Sequence, residues 1–191
     1  TNLITVGNAQ LDTSVKKFGT ASAEFDGTGD YLHIASNFTP IGTGDYTIEL
    51  FAYFTGNSST SGGLFASGNP SSAVTVPAMA LRDTTGLTIY TGAGQKITGN
   101  TGLLSLNTWY HLAMVRASGV IKVFKDGSLV SWDDGSSTVS DTSDITSTEF
   151  VIGKYYSDSY LLNGFIDEFR ISLKARYTSN FTAPTKEFPN L

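Results

Sequence analysis

The chain has 191 residues, of which 40% are hydrophobic, and this is enough for the core of one large β-rich domain. Its formal charge is −5 with no cluster of Lys and Arg, which excludes nucleic acid and anionic membrane as electrostatic partners. It has no cysteine, so disulfides, thiolate zinc sites and cysteine nucleophiles are excluded, and it has no apolar run of about 18 residues that would insert into a membrane.

Short segments with alternating apolar and polar residues follow one another from residue 22 onward, and turn-forming residues separate them. This alternation is typical of half-buried β-strands. The predicted strands are residues 22–25, 31–35, 46–54, 63–67, 78–82, 87–91, 95–98, 109–116, 121–125, 129–132, 150–153 and 165–172. The pattern predicts an all-β antiparallel sandwich in a single domain, 1–191, with a core of about 20–177 and a strap or linker segment at each end.

The stretch GFIDEFRIS (residues 164–172) raises a chemical question. Alternate side chains of a strand share a face, so the pattern places Asp167 on the same face as Phe169 and Ile171. A carboxylate on an apolar face is costly unless a metal ion, an Arg or Lys, or a group of backbone N–H donors binds it. We therefore expect Asp167 to have a partner.

Four fragments stand out along the chain: FDGTGDY (residues 25–31) with DYTIELF (45–51), WYHLA (109–113), VFKDG (123–127) and GFIDEFRI (164–171). In this order and at these spacings they resemble laminin-G-like domains of the concanavalin A-like lectin/glucanase superfamily, from about Ser22 to about Tyr177. The resemblance implies a jelly-roll sandwich of two curved antiparallel sheets, one face concave and one convex. With ARYTSNF (175–181) as the closing segment, the chain is similar to modules of bacterial surface proteins and phage structural proteins.

The resemblance also implies a partner for Asp167. Related folds hold a calcium ion between the turn after the first strand and the last strand, which here corresponds to Asp26 and Asp167, with Asp30 or the carbonyls around Gly27 completing the shell. Calcium binds about six to eight hard oxygens, so a structural Ca²⁺ is the expected cofactor. The alternative is that Asp26 caps its own turn and Asp167 accepts backbone N–H bonds.

The carboxylates give little support for catalysis. Glucanases of the superfamily use a Glu-x-Asp-x-x-Glu strand whose carboxylates share a face, and the nearest match, EFDGTG (residues 24–29), ends in glycine and lies on the opening strand. Asp167 and Glu168 are adjacent, so they point to opposite faces and cannot flank one glycosidic bond. His33 and His111 are too few for a histidine zinc site. We predict that the protein is not an enzyme.

Aromatic and polar side chains that point away from the predicted core give a stronger lead. Alternate apolar residues of three strands leave Tyr53, Arg82 and Tyr90 on the outward side, and aromatic faces beside polar groups suit sugar rings. The predicted ligand-binding set, with its loop residues as a rim, is Tyr53, Arg82, Tyr90, Trp132, Tyr155 and Tyr156. The alternative is that such aromatics only stiffen cross-strand pairs.

These features favour a non-catalytic module for glycan recognition or adhesion, part of a larger extracellular or virion-surface protein, with a polysaccharide or surface glycan as its partner. The first alternative is a structural module that contacts neighbouring domains or subunits of a phage tail, fibre or capsid and has no sugar site. The second is an atypical polysaccharide hydrolase.

Overall fold

The computed structural model of the chain describes residues 2–57, 61–68, 76–83, 85–98, 102–155, 157 and 159–189. These residues contain fifteen strands and no helix. The strands are β1 (Leu3–Val6), β2 (Gln10–Asp12), β3 (Ser22–Asp26), β4 (Tyr31–Ile34), β5 (Tyr46–Asn57), β6 (Ser61–Ser67), β7 (Ala78–Arg82), β8 (Gly86–Thr91), β9 (Gly94–Ile97), β10 (Trp109–Ala117), β11 (Val120–Lys125), β12 (Ser128–Leu129), β13 (Val139–Ser140), β14 (Phe150–Ile152) and β15 (Leu162–Ser172).

The strands form two antiparallel sheets. The seven-stranded sheet has the order β1-β4-β14-β6-β7-β8-β9. The eight-stranded sheet has the order β12-β11-β10-β5-β15-β3-β2, with β13 paired to β11. The predicted all-β sandwich of two antiparallel sheets is therefore confirmed.

The core lies between the sheets and is built by the alternation that the sequence displays. Leu50 of β5 and Leu112 of β10 face Phe65 of β6 and Met79 of β7 across the sandwich, and all four side chains are fully buried. The residues between them point outward, so each sheet also has an outer face. These two outer faces are the surfaces on which a site can form.

Two N-terminal strands were not predicted. Residues 1–19 were expected as a flanking strap or linker, but β1 pairs with β4 and β2 pairs with β3 at the edges of the two sheets. Both strands are short, and their apolar residues Leu3 and Leu11 are exposed. Without a buried stripe they lack the alternation that marked the other strands.

Asp126 and Gly127 form the turn between β11 and β12, and both have positive φ, as a two-residue hairpin turn of type I′ requires. A second reason for glycine appears only in the fold: a Cβ at Gly127 would lie 1.9 Å from the carbonyl oxygen of Phe181. The strand predicted at 129–132 was wrong in extent. Trp132 lies beyond β12 and is buried in the core at 4% exposure, which rules out its predicted place on an exposed rim.

A β-bulge in β15 corrects the predicted alternation of GFIDEFRIS. Glu168 has a φ of +53°, and the register against β5 shifts between Asp167 and Arg170. Because a bulge inserts one extra residue, Phe169 and Ile171 pack against the core, whereas Asp167 and Arg170 stand on the outer face. The predicted common face of Asp167, Phe169 and Ile171 was therefore wrong.

Candidate functional site

Residues 173–189, which we call the C-terminal strap, cover part of the outer face of the eight-stranded sheet. The rings of Tyr177 and Phe181 stack at 3.6 Å and pack against Phe124 and its neighbours. The backbone N–H of Phe181 donates to the carbonyl of Gly127 at 2.9 Å. A flat ligand would reach the strands beneath only by displacing the strap.

Glu49 on β5 ties the strap to this sheet. Its Oε1 accepts hydrogen bonds from Arg170 Nε at 3.0 Å and Nη2 at 2.8 Å, and lies 3.2 Å from Arg176 Nε. Its Oε2 accepts from the Tyr177 hydroxyl at 2.9 Å and lies 3.1 Å from His111 Nε2. Burial alone would raise the pKa of Glu49, but the hydrogen bonds from His111, Arg170 and Tyr177 and the charge of Arg170 together lower it below its ordinary value. Glu49 and His111 therefore form part of a structural network.

Asp167 finds its partner in the main chain. Its Oδ2 accepts from the backbone N–H groups of Lys17 at 2.9 Å and Phe18 at 3.0 Å, in the loop between β2 and β3. This is the backbone alternative considered for Asp167. The adjacent Glu168 accepts from the backbone N–H of Phe188 in the strap, so both members of the acidic pair hold loops against the sheet.

The three acidic residues expected to hold calcium do not form one set. Asp26 lies opposite Asn163, four residues before Asp167 on β15, which places the two acids about 13 Å apart along the strand. Asp30 accepts from the backbone N–H of Asp26 at 3.1 Å, and Asp26 accepts from that of Thr28 at 2.7 Å. Within the described ranges no three His, Cys, Asp or Glu side chains are grouped to hold a metal. Asp26 and Asp167 therefore do not fit one shared Ca²⁺; a structural Ca²⁺ as cofactor stays a prediction.

The outer face of the seven-stranded sheet has a different surface. Its floor consists of small residues at the outward positions of three central strands: Ala66, Ala78, Ala80 and Val151. Short side chains allow aromatic rings to lie against the sheet instead of standing on it. This floor is the base of the candidate site.

A loop between β14 and β15 crosses this floor. A Cβ at Gly63 would lie 2.4 Å from the backbone of Lys154 and of Tyr155, and the Gly63 N–H donates to the carbonyl of Tyr160 at 3.2 Å. The glycine in β6 therefore allows the loop backbone to rest on the strand. The loop in turn brings its tyrosines onto the sheet.

Four tyrosines pack on the floor, and we call them the tyrosine cluster: Tyr31, Tyr90, Tyr155 and Tyr160. The rings of Tyr90 and Tyr155 stack at 5.3 Å with 20° between their planes, and Tyr155 and Tyr160 lie 5.0 Å apart. Tyr155 is buried, and the other three are partly exposed. The cluster thus presents three accessible rings, packed with one buried ring.

Polar groups surround the cluster. Gln95 Nε2 donates to the Tyr90 hydroxyl at 2.7 Å and to Thr88 Oγ1 at 3.0 Å. The Lys154 ammonium lies 4.5 Å from the centroid of the Tyr31 ring. Burial raises the pKa of Tyr155, and its hydrogen bond with Tyr90 raises it further, so the phenol stays neutral. The surface combines aromatic rings with neutral donors and acceptors from Gln95 and Thr88 and with one ammonium group, that of Lys154.

Three predicted ligand-binding residues lie on this face. Tyr90 and Tyr155 belong to the cluster. Arg82 lies on the same side of the sheet as Tyr90, because Ala78 is the register partner of Tyr90 and Arg82 follows Ala78 by four residues, an even number, along β7. Arg82 lies at the end of β7 and is 3.5 Å from Asp83 through its Nε. The structure therefore brings three of the six predicted residues to one face, and their role in binding stays a prediction.

The remaining predicted residues do not join them. Tyr53 lies on the outer face of the eight-stranded sheet, 5.4 Å from the ring of Trp109, so its grouping with Arg82 and Tyr90 was wrong. Trp132 is in the core, as described above, and Tyr156 lies outside the described residues. Sequence reasoning missed Tyr31, although it alternates with the core residue Leu32, a signal that could have found it.

Residues 26–179 match the family model of the concanavalin A-like lectin/glucanases superfamily, of the laminin-G type. The chain belongs to this family. No curated protein sequence matches it. In the described part of the chain, no helix is both long and apolar enough to cross a membrane.

Solved structures show the same fold at low sequence identity. Domain 4 of AbnA, an extracellular GH43 arabinanase from Geobacillus stearothermophilus in complex with arabinotriose, has a TM-score of 0.60 and 17% identity, covering 86% of this chain and 75% of that one. The botulinum neurotoxin serotype D binding domain has a TM-score of 0.61 and 15% identity, covering 91% of this chain and 44% of that one. Mouse laminin α1 domains LG4-5 have a TM-score of 0.57 and 17% identity, covering 92% of this chain and 47% of that one.

Proposed function

We propose that the protein is a non-catalytic glycan-binding module whose site is the tyrosine cluster on the outer face of the seven-stranded sheet. The observation that carries this proposal is the set of three partly exposed tyrosine rings beside Gln95, on an outer face that also carries Arg82 and that the strap leaves free. Sugar rings bind to aromatic faces through their C–H groups and to amide and guanidinium donors through their hydroxyls.

The similar structures support a glycan as the ligand class. The arabinanase domain is in complex with arabinotriose, and a related botulinum neurotoxin binding domain is in complex with SialylT. The first belongs to an extracellular enzyme, which supports the further proposal that this module acts outside the cell or on a virion surface, within a larger protein. Several copies on one assembly would convert a weak single site into firm adhesion.

The test is a glycan array followed by calorimetry on any hit, with arabinotriose among the ligands. We expect a dissociation constant on the order of 0.1–1 mM, because a few rigid contacts must offset the cost of association. Tyr90→Ala and Arg82→Ala should each reduce binding at least tenfold. Tyr53→Ala is the matched control, because this partly exposed tyrosine lies on the opposite outer face, and it should bind like the parent.

Two outcomes would contradict the proposal. One is the absence of binding to any glycan on the array. The other is a glycan whose affinity falls in Tyr53→Ala and stays unchanged in Tyr90→Ala, which would place the site on the other sheet. Release of reducing ends from a bound polysaccharide would contradict the proposal that the module is not an enzyme.

A second candidate function, contact with a neighbouring domain or subunit, is supported by an apolar patch at one edge. Leu3 and Leu173 are 55% and 59% exposed, and Leu173 lines an open cavity of about 330 Å³ with Ile34 and Phe38. Sedimentation velocity tests this function: self-association that disappears in Leu173→Asp supports it, and a monomer at high concentration argues against self-association through the patch.

A further inference from the structure

A second cavity lies on the other side of the molecule, under the C-terminal strap. Its volume is about 390 Å³, and it is lined by Arg170 at the sheet, by Arg176 and Tyr177, and by strap residues 182–189. This size is in the range of sites for small ligands. We infer that this cavity binds a monosaccharide-sized ligand that carries one oxyanion, a carboxylate or a sulfate.

The first argument is an unused donor. The Arg170 side chain is only 9% exposed and directs Nε and Nη2 to Glu49. Its Nη1 is buried and has no hydrogen-bond acceptor in the described part of the chain. The ring of Phe188 covers the guanidinium at 3.9 Å, so a further acceptor must approach in the plane of the group. A buried donor without an acceptor is costly, and a ligand oxygen would remove that cost.

The second argument is charge. Glu49 carries one negative charge and lies within 3.2 Å of two guanidinium groups, those of Arg170 and Arg176. One positive charge of this group is therefore not compensated by Glu49. The charges of Lys186 and Glu187, which also line the cavity, cancel each other. A singly charged oxyanion would balance the two guanidinium groups and meet their planar geometry with paired hydrogen bonds.

This site is separate from the tyrosine cluster and does not depend on the proposed function there. The two sites lie on the outer faces of different sheets. Their variants can therefore be tested independently.

The experiment is an NMR chemical-shift titration of the full chain at low ionic strength. The probes are D-glucuronate, D-glucose 6-sulfate and neutral D-glucose. We expect glucuronate, glucose 6-sulfate or both to bind at least tenfold more tightly than glucose, and the comparison of the two acids identifies the preferred oxyanion. Arg176→Gln should weaken this binding at least tenfold, and Lys16→Gln, which removes one positive charge at an exposed position outside the cavity lining, should leave it unchanged.

A second variant keeps the test decisive if Arg176→Gln does not fold. Ala183→Trp, at an intermediately exposed position lining the cavity, would fill the space and leave both arginines in place, and we expect it to abolish the oxyanion preference. The inference is overturned if the acids bind no more tightly than glucose, if no probe binds, or if binding is unchanged in the folded variants.

Discussion

Asp167 accepts hydrogen bonds from two main-chain N–H groups, and this explains how a carboxylate can be 8% exposed on a largely apolar surface. The donors, from Lys17 and Phe18, lie 150 and 149 residues away in the chain. The carboxylate thus holds the loop between β2 and β3 against β15.

This role gives a residue-scale prediction. Asp167→Asn should lower the free energy of unfolding by about 1–3 kcal/mol, since both N–H groups donate to Oδ2 and an amide oxygen in its place accepts them without the negative charge. The loss should be the same in excess chelator and in added Ca²⁺, as measured by urea unfolding. A loss that appears only with Ca²⁺ would mean that Asp167 binds the ion after all.

At the scale of elements, the glycine at position 63 decides whether the loop after β14 can lie on the sheet. Tyr155 and Tyr160 reach the floor only because the backbone of this loop crosses β6 where a side chain is missing. The site therefore depends on the packing of a loop on a strand as much as on the tyrosines themselves.

Gly63→Ala should consequently cost about 1–3 kcal/mol of stability, because the new Cβ meets backbone atoms that cannot rotate away. The displaced loop should also weaken any glycan binding at the tyrosine cluster. Gly44→Ala is the matched control: its Cβ would have no neighbour within 4 Å, and we expect a change of less than about 0.5 kcal/mol. Thermal melts and the binding assay on both variants check this, and equal melting temperatures would contradict it.

At the scale of the whole molecule, Glu49 joins two strands and the strap through a single carboxylate. His111 comes from β10, Arg170 from β15, and Tyr177 from the strap. The strap therefore docks by a buried polar network as well as by its aromatic rings. Its attachment should depend on the ionised state of Glu49.

The lowered pKa of Glu49 fixes the sign of this dependence. The network stabilises the fold above the ordinary glutamate pKa of 4.5, and its contribution is lost as the pH falls through the lower pKa of the folded state. Glu49→Gln should cost about 3–5 kcal/mol at pH 7, because two guanidinium groups lose their counter-charge. Urea unfolding should show a smaller cost at acid pH, and Glu24→Gln on β3, outside the Glu49 network, should show neither effect.

The sequence by itself determined the class of fold. Alternating residues such as Ile48 and Leu50 must face one side of an extended strand. The strands, their packing as a sandwich and the apolar residues that face the core therefore followed from local geometry. The same alternation showed that Tyr90 and Arg82 point away from the core. The resemblance of the four fragments to laminin-G-like domains indicated the same class of fold. Local alternation could not reveal β1 and β2, whose apolar residues are exposed.

Only the tertiary structure decided which outward residues meet. Tyr53 and Tyr90 are both outward, but they belong to different sheets, and strand periodicity carries no information on which sheet a strand joins. The bulge at Glu168 inverted the faces beyond it, since one extra residue changes the phase of a two-residue repeat. The partners of Asp167 and Glu49 lie far away in sequence, so only the folded chain could show that main-chain N–H groups bind Asp167 and that arginines bind Glu49.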